Sequence, residues 1–152
     1  MDDRLFKSAM GKFATGITVV TTESDGEVHG MTANAFMSVS LDPKLVLISV
    51  AKKAKTHGYI EQAGKFAVSI LKDDQEQLSQ YFAKQIGKDV DVKFERFENQ
   101  SVIEGALVNI ACNVYDSHEA GDHTLFIGEV INLQVQDENP LLYFEGKYRE
   151  FK

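Results

Sequence analysis

The sequence predicts a mainly β protein with short helices, an antiparallel β-barrel built as one domain over residues 1–152. Three observations carry this expectation. About seven apolar, β-branched runs of strand length follow one another in hairpin order. Helical periodicity is confined to two or three short windows, so the strand–helix alternation of a parallel sheet is missing. The 152 residues, 43% hydrophobic and 26% charged, suit one globular core, with no internal repeat and no low-complexity segment.

In chain order, Asp2 or Asp3 is placed to cap a first helix carrying Leu5, Phe6, Ala9, Met10 and Phe13, with Gly16 as its stop. Ile17–Thr22 is β-branched throughout and reads as a strand, turned by Ser24-Asp25-Gly26-Glu27 into the stretch that follows. Gly30 to Ser40 reads as one further strand, ended by Leu41-Asp42-Pro43. Its alternation is unusual. Thr32, Asn34, Ser38 and Ser40 share one face beside Phe36, whereas Met31, Ala33, Ala35, Met37, Val39 and Leu41 share the other. Hydroxyls and an amide without charge suit neutral ring edges, ribityl hydroxyls and phosphate oxygens, although a short edge strand looks similar.

Leu45–Val50 reads as a strand covered on both faces. It runs into Ala51-Lys52-Lys53-Ala54-Lys55-Thr56-His57-Gly58, the only basic cluster of an acidic chain. Thr56 is placed to cap a helix through Tyr59, Ile60 and Ala63 that Gly64 ends. Lysine clusters are ordinarily solvated surface. Three lysines before a helix N-terminus, directly after a buried strand, nevertheless make an anion site. Phe66–Leu71 is the next strand, and Asp73 or Asp74 caps a helix with Leu78, Tyr81 and Phe82 on its apolar side. Lys84–Asp91 reads as loop and Val92–Phe97 as a weak strand. Long strands at Ala106–Tyr115 and Thr124–Val135 flank a Ser117–His123 connection, and Asp137–Pro140 turns the chain into Leu141–Phe144.

Composition also excludes. A net charge of -7 argues against nucleic acid and anionic membranes as partners. No segment nears the ~20 apolar residues of a membrane span, the opening Met1-Asp2-Asp3-Arg4 is no signal peptide, and the single Cys112 lies in an apolar run as an inert thiol. A reducing cytoplasm fits. No phosphate-loop, dinucleotide or hydrolase motif is present, and His29, His57, His118 and His123 are scattered without companion cysteines, so no metal site is expected. Catalysis, if any, then rests on a bound cofactor. His123, beside Gly121-Asp122 at a strand head, is the histidine to single out, its tautomer set by Asp122 or a backbone carbonyl. Tyr148, after Gly146-Lys147, is either a core tyrosine or a ring laid against a planar ligand.

Thr32-Ala33-Asn34-Ala35-Phe36 with Ser38-Val39-Ser40 and Pro43, Gly121-Asp122-His123, Gly128-Glu129-Val130 and the Gly146-Lys147-Tyr148 ending resemble the short-chain flavin reductases. These are the small reductase components of two-component aromatic monooxygenases, acting with phenol or 4-hydroxyphenylacetate hydroxylases, and the chain looks most like the phenol-hydroxylase type. The resemblance covers nearly the whole chain. It implies an FMN-binding split β-barrel of Greek-key, antiparallel type that forms a homodimer. It also implies NADH-dependent reduction of FAD, with FMN or riboflavin accepted, for a separate oxygenase. By position, Thr32, Ala33, Asn34 and Ala35 line the isoalloxazine and ribityl chain, and Ser38, Val39 and Ser40 the ribityl-phosphate end. Lys53, Lys55 and Thr56 fall at the phosphates, Phe82 at the adenine side, His123 at the nicotinamide and Tyr148 near the flavin. Ala35 replaces a common serine, which removes one hydrogen bond. A non-catalytic flavin-binding module, a pyridoxamine-phosphate-type oxidase and a ligand-free interaction domain are the rivals. The oxidase suffers from having only Arg4, Arg96 and Arg149 as arginines.

Overall fold

The computed structural model describes residues 1–87 and 89–151. Asp2 caps α1 (Asp3–Met10) by accepting from the Arg4 amide at 2.9 Å. β1 (Thr15–Gly16), β2 (Thr18–Ser24), β3 (Glu27–Ala33), β4 (Phe36–Leu41) and β5 (Lys44–Ala51) follow. Then come α2 (Lys55–Ala63), β6 (Lys65–Ile70), α3 (Glu76–Phe82), β7 (Phe94–Phe97) and β8 (Gln100–Ile103). β9 (Val108–Ala120), β10 (His123–Val135), β11 (Leu142–Phe144) and β12 (Lys147–Arg149) complete the described fold.

Seven strands form one antiparallel sheet in the order β3-β2-β6-β9-β10-β5-β4. β3 and β4 therefore stand at opposite edges, yet only Asn34 and Ala35 lie between them in sequence. Six strand spacings in a flat sheet measure roughly 29 Å. Three Cα steps reach only about 11 Å. The sheet must curl until its two edges face each other, which makes a split barrel. The link is strapped on both sides: Thr18 Oγ1 donates to the Ala33 carbonyl at 2.6 Å, and the Ser49 amide to the Ala35 carbonyl at 3.3 Å.

This corrects the single strand expected over Gly30–Ser40. Ala33 still pairs with Thr18 of β2, but Phe36 pairs with Ile48 of β5. The period-two alternation is thus broken at Asn34-Ala35, and again by a bulge between Ser38 and Ser40. Met37, Val39 and Leu41, placed on one apolar face by that alternation, are 55%, 44% and 79% exposed.

Both faces of the barrel wall are packed. Val20, Ile48, Val50, Phe66, Val68, Cys112 and Phe126 fill the inner core, and the alternate residues Ile17 and Val19 join Leu71, Ile103, Ala106 and Leu141 in a second cluster. Gly128 makes the inner packing possible, because a Cβ there would stand 2.6 Å from the Phe66 ring and 2.8 Å from Cys112 Cβ.

Other expectations shift for identifiable reasons. α1 ends at Met10, not near Gly16, because Gly11 is captured by the C-terminal hairpin: its carbonyl accepts from the Glu145 amide at 2.9 Å. No residue of α1 is buried. Thr56 sits buried inside α2 and Ala54 occupies the cap position, while Gly64 ends the helix in the left-handed conformation as expected. Gln75, not Asp73 or Asp74, precedes α3, since Leu71–Asp73 is engaged by backbone bonds to Asn139 and Leu141. Phe94–Phe97 is a strand, but its partner β8 went unseen in the sequence, across a turn at Glu98-Asn99 with φ of 50° and 61°. The Ser117–His123 connection is mostly strand, turning only at Gly121-Asp122.

Candidate functional site

The register brings several candidate residues to one rim of the barrel. β5 ends at Ala51, which faces His123 at the head of β10, and two residues earlier Ser49 holds the Asn34-Ala35 link. The lysine loop begins directly beyond, with the Lys52 amide donating to the Asp122 carbonyl at 2.9 Å and Lys52 Nζ 3.1 Å from Glu119. α2 starts from the same loop. Its cap residue Ala54 is extended, with φ −73° and ψ 137°, and supplies no side-chain partner to the first helical amides. Ser38, Val39 and Ser40 are not part of this rim. They pair around Val46 and Leu45, five and six residues before Ala51 and so roughly 17–20 Å away along β5.

Among the recesses that open along the rim, three gather the candidate residues. The first, about 620 Å³, lies beside the Asn34-Ala35 link, between β1 and the start of β4; Thr15, Gly16, Asn34, Ala35, Phe36 and Leu47 line it. Its walls are largely apolar, but the Thr15 hydroxyl is buried without a hydrogen-bond partner among the described residues and the Asn34 side chain is exposed at its side. A buried hydroxyl left without a partner is costly, which marks Thr15 as a point of strain in this wall.

The second recess, about 160 Å³, lies between the end of β3 and α3. Thr32 Oγ1 donates to the Ser79 carbonyl at 2.6 Å, Ser79 Oγ is 2.9 Å from the Tyr148 hydroxyl, and that hydroxyl donates to Gln85 Oε1 at 3.5 Å. Thr32 therefore spends its proton tying α3 to the sheet. Burial pushes the Tyr148 phenol above its ordinary range, partly offset by the bond to Ser79. Tyr148 is thus a protonated hydroxyl that closes this recess from the C-terminal hairpin.

The third is a basic and aromatic shelf of about 580 Å³, with Lys55, Thr56, Lys84, Tyr59, Phe82 and His29 around it. His29 stacks on Tyr59 at 3.7 Å and 15°. Phe82 lies against Gly30, where a Cβ would come within 2.7 Å of its ring. Lys53 belongs elsewhere, beside Asp122. The Asp122 carboxyl is held below its usual value by the hydrogen bond and charge of His123, and Lys53 adds to the effect. His123 Nδ1 donates to Asp122 Oδ1 at 2.8 Å, which fixes the tautomer and leaves Nε2 for a ligand.

The candidates accordingly group as Thr32, Ala33, Asn34 and Tyr148; Asn34 and Ala35; Lys55, Thr56 and Phe82; and Lys53 with His123. Sequence reasoning missed Thr15, His29, Tyr59, Ser79, Lys84 and Gln85. Their partners lie far along the chain, and only Thr15-Gly16, just ahead of a β-branched run, carried a local signal. Cys112 is fully buried with its thiol pushed up to about 12, as expected of an inert residue. The rim can hold a planar ring with polar edges and bind anions beside it, while the reactive centre comes with the ligand.

Fold and rim together define a split-barrel protein shaped for a planar, anionic ligand. The chain belongs to the flavin reductase-like domain family, whose model matches residues 10–152. It is 46% identical over 149 residues to an NADH-dependent flavin reductase from Rhodococcus, covering 96% of this chain and 85% of that protein. The reductase component of 4-hydroxyphenylacetate 3-monooxygenase from Thermus thermophilus is 38% identical, over 95% of this chain and 93% of its own. Among solved structures, the flavin reductase PheA2 superposes with a TM-score of 0.98 at 58% identity, over 100% of this chain and 99% of the other. No helix among the described residues is long and apolar enough to cross a membrane.

Proposed function

We propose that this protein is a single-domain, NADH-dependent flavin reductase that supplies reduced FAD, and also FMN or riboflavin, to a separate oxygenase. The observation that carries the reading is the 620 Å³ recess beside the Asn34-Ala35 link, with Thr15 and the Asn34 amide on its wall. That volume lies in the range of small-molecule sites, and the two polar groups suit the edge of an isoalloxazine. When bound, the flavin supplies the ring that accepts hydride from nicotinamide.

The chain's own work is placement. Ala33 and Ala35 let the ring approach the backbone, and Asn34 and Thr15 meet its polar edge. Lys53, Lys55 and the uncapped amides at Thr56 hold phosphates, with the Phe82 shelf on the adenine side. His123 Nε2 faces the nicotinamide and orients it, and Tyr148 closes the recess next to the flavin. Positioning of two bound reactants can supply much of the acceleration.

The exposed apolar residues Met37, Val39 and Leu41 on edge strand β4, with Leu5, Phe6, Met10 and Phe13 near the N-terminus, support a homodimer that covers them. Ser38, Val39 and Ser40 remain assigned to the ribityl-phosphate end only through the family resemblance. The oxygenase partner is supported by the Thermus thermophilus relative, a reductase component by name. A phenol-type oxygenase, a role in aromatic catabolism and a cytoplasmic site complete the proposal. The test is to follow NADH absorbance with added FAD, FMN or riboflavin. Flavin-dependent oxidation is expected. A yellow protein that binds flavin and never oxidises NADH or NADPH would instead be a non-catalytic flavin-binding module.

A further inference from the structure

The β9–β10 hairpin reaches beyond the barrel: residues 115–122 are all exposed, and His123 stands where the hairpin rejoins the body. Besides the ladders that pair the head of β10 with β5 and β9, three further ties hold that junction. Two belong to the lysine loop, the Lys52 amide on the Asp122 carbonyl and Lys52 Nζ near Glu119. The third comes from inside. His57, in the first turn of α2, places Nε2 2.8 Å from Thr124 Oγ1, with its ring edge-on to Phe126 at 5.3 Å. Its side chain is 14% exposed and Thr124 is 4% exposed. The Glu61 carboxylate, 3.3 Å from Nδ1, favours the proton on that nitrogen and leaves Nε2 to accept from the Thr124 hydroxyl.

Thr124 and His123 are consecutive on a strand and therefore project to opposite faces. One is clamped in the interior; the other is free to meet a ligand. The same residue that clamps Thr124 sits one position after Thr56, at the end of the lysine loop.

We propose that His57 is a positioning residue that locks the head of β10 to the start of α2, holding His123 and the lysine loop in one arrangement. This rests on the reading of His123 as the nicotinamide-facing residue. The defining variant is Thr124→Val, which removes the bond at nearly constant volume. His57→Ala removes it from the other side, and His57→Gln retains an acceptor.

Steady-state kinetics with NADH and FAD, run beside His123→Ala, decide the matter. The expected result is a KM for NADH raised about fivefold in Thr124→Val and His57→Ala, the factor one neutral hydrogen bond carries. The KM for FAD and kcat should change much less, and His57→Gln should recover most of the loss. An unchanged KM for NADH in Thr124→Val, while His123→Ala raises it, overturns the positioning role alone. Equal changes in kcat and both KM values, tracking a lowered Tm, also overturn it, because that pattern is general loosening. If His123→Ala itself leaves KM for NADH unchanged, the reading of His123 fails first and takes this inference with it.

Discussion

The wall formed by β2, β6 and the first half of β9 contrasts with the rim at the end of β5. In the wall, polar groups are buried and satisfied within the chain. Ser69 Oγ donates to Asn109 Oδ1 at 2.7 Å, Asn109 Nδ2 to the Ile103 carbonyl at 3.3 Å, and Thr21 Oγ1 to the Ser101 carbonyl at 2.8 Å. At the rim, Asn34, Lys53, Lys55 and Asp122 are exposed, and the Thr15 hydroxyl has no partner among the described residues. The wall has finished its hydrogen bonding within the chain, whereas polar groups at the rim stand open to solvent. Stability and the proposed binding thus draw on different strands of the one sheet.

That division is breakable by mutation. The largest effect belongs to the wall. Gly128→Val drives a side chain into Phe66 and Cys112 and is expected to cost about 3 kcal/mol. Urea denaturation measures the loss, and the KM values of the protein that still folds should stay as they were. A smaller and opposite effect comes from Ala54→Ser, which gives α2 the side-chain cap it lacks. It should stabilise the protein by about 1 kcal/mol. Thermal melting would show a Tm increase of roughly 2–4 °C for a domain of this size.

The smallest effect is acid sensitivity at the β8 hairpin. Burial raises the Glu23 carboxyl, but hydrogen bonds from Ser101 and Arg96 and the Arg96 charge together hold it below its usual 4.5. A lowered folded-state pKa gives stability that is fully present above the unfolded value and is lost as pH falls through the folded one. Glu23→Gln should therefore be less stable than the parent at pH 7, and the gap should narrow in acid below about pH 4.5. A gap that stays constant on acidification would remove Glu23 from the pH response.

Much of the fold class was legible because its signals are local. Ile17–Thr22 is β-branched, and Asp25-Gly26, with φ of 52° and 78°, is a turn that residue type alone announces. The break at Asn34-Ala35 was not legible. Whether Phe36 continues beside β2 or crosses to β5 depends on how the whole sheet curls, and alternation of residue types is silent on that. The same limit hid the exposure of α1, though not the helix: Leu5, Phe6 and Met10 mark an apolar face, and nothing in their spacing says the chain leaves it uncovered. For the site, the candidates at Thr32–Ala35, Lys53–Thr56, His123 and Tyr148 share one rim because each adjoins a strand end. His57, His29 and Thr15 were not singled out, since what distinguishes them is a contact with Thr124, with Tyr59 or with no described partner.

The most direct test of the rim as a binding site is steady-state NADH oxidation by the Lys53→Ala, Lys55→Ala double variant with three flavins in turn. KM for FAD and FMN should rise about tenfold, the scale of a lost charge-assisted phosphate contact, while riboflavin, which has no phosphate, stays within about twofold. An equal rise for all three would contradict the assignment of these lysines to the phosphates.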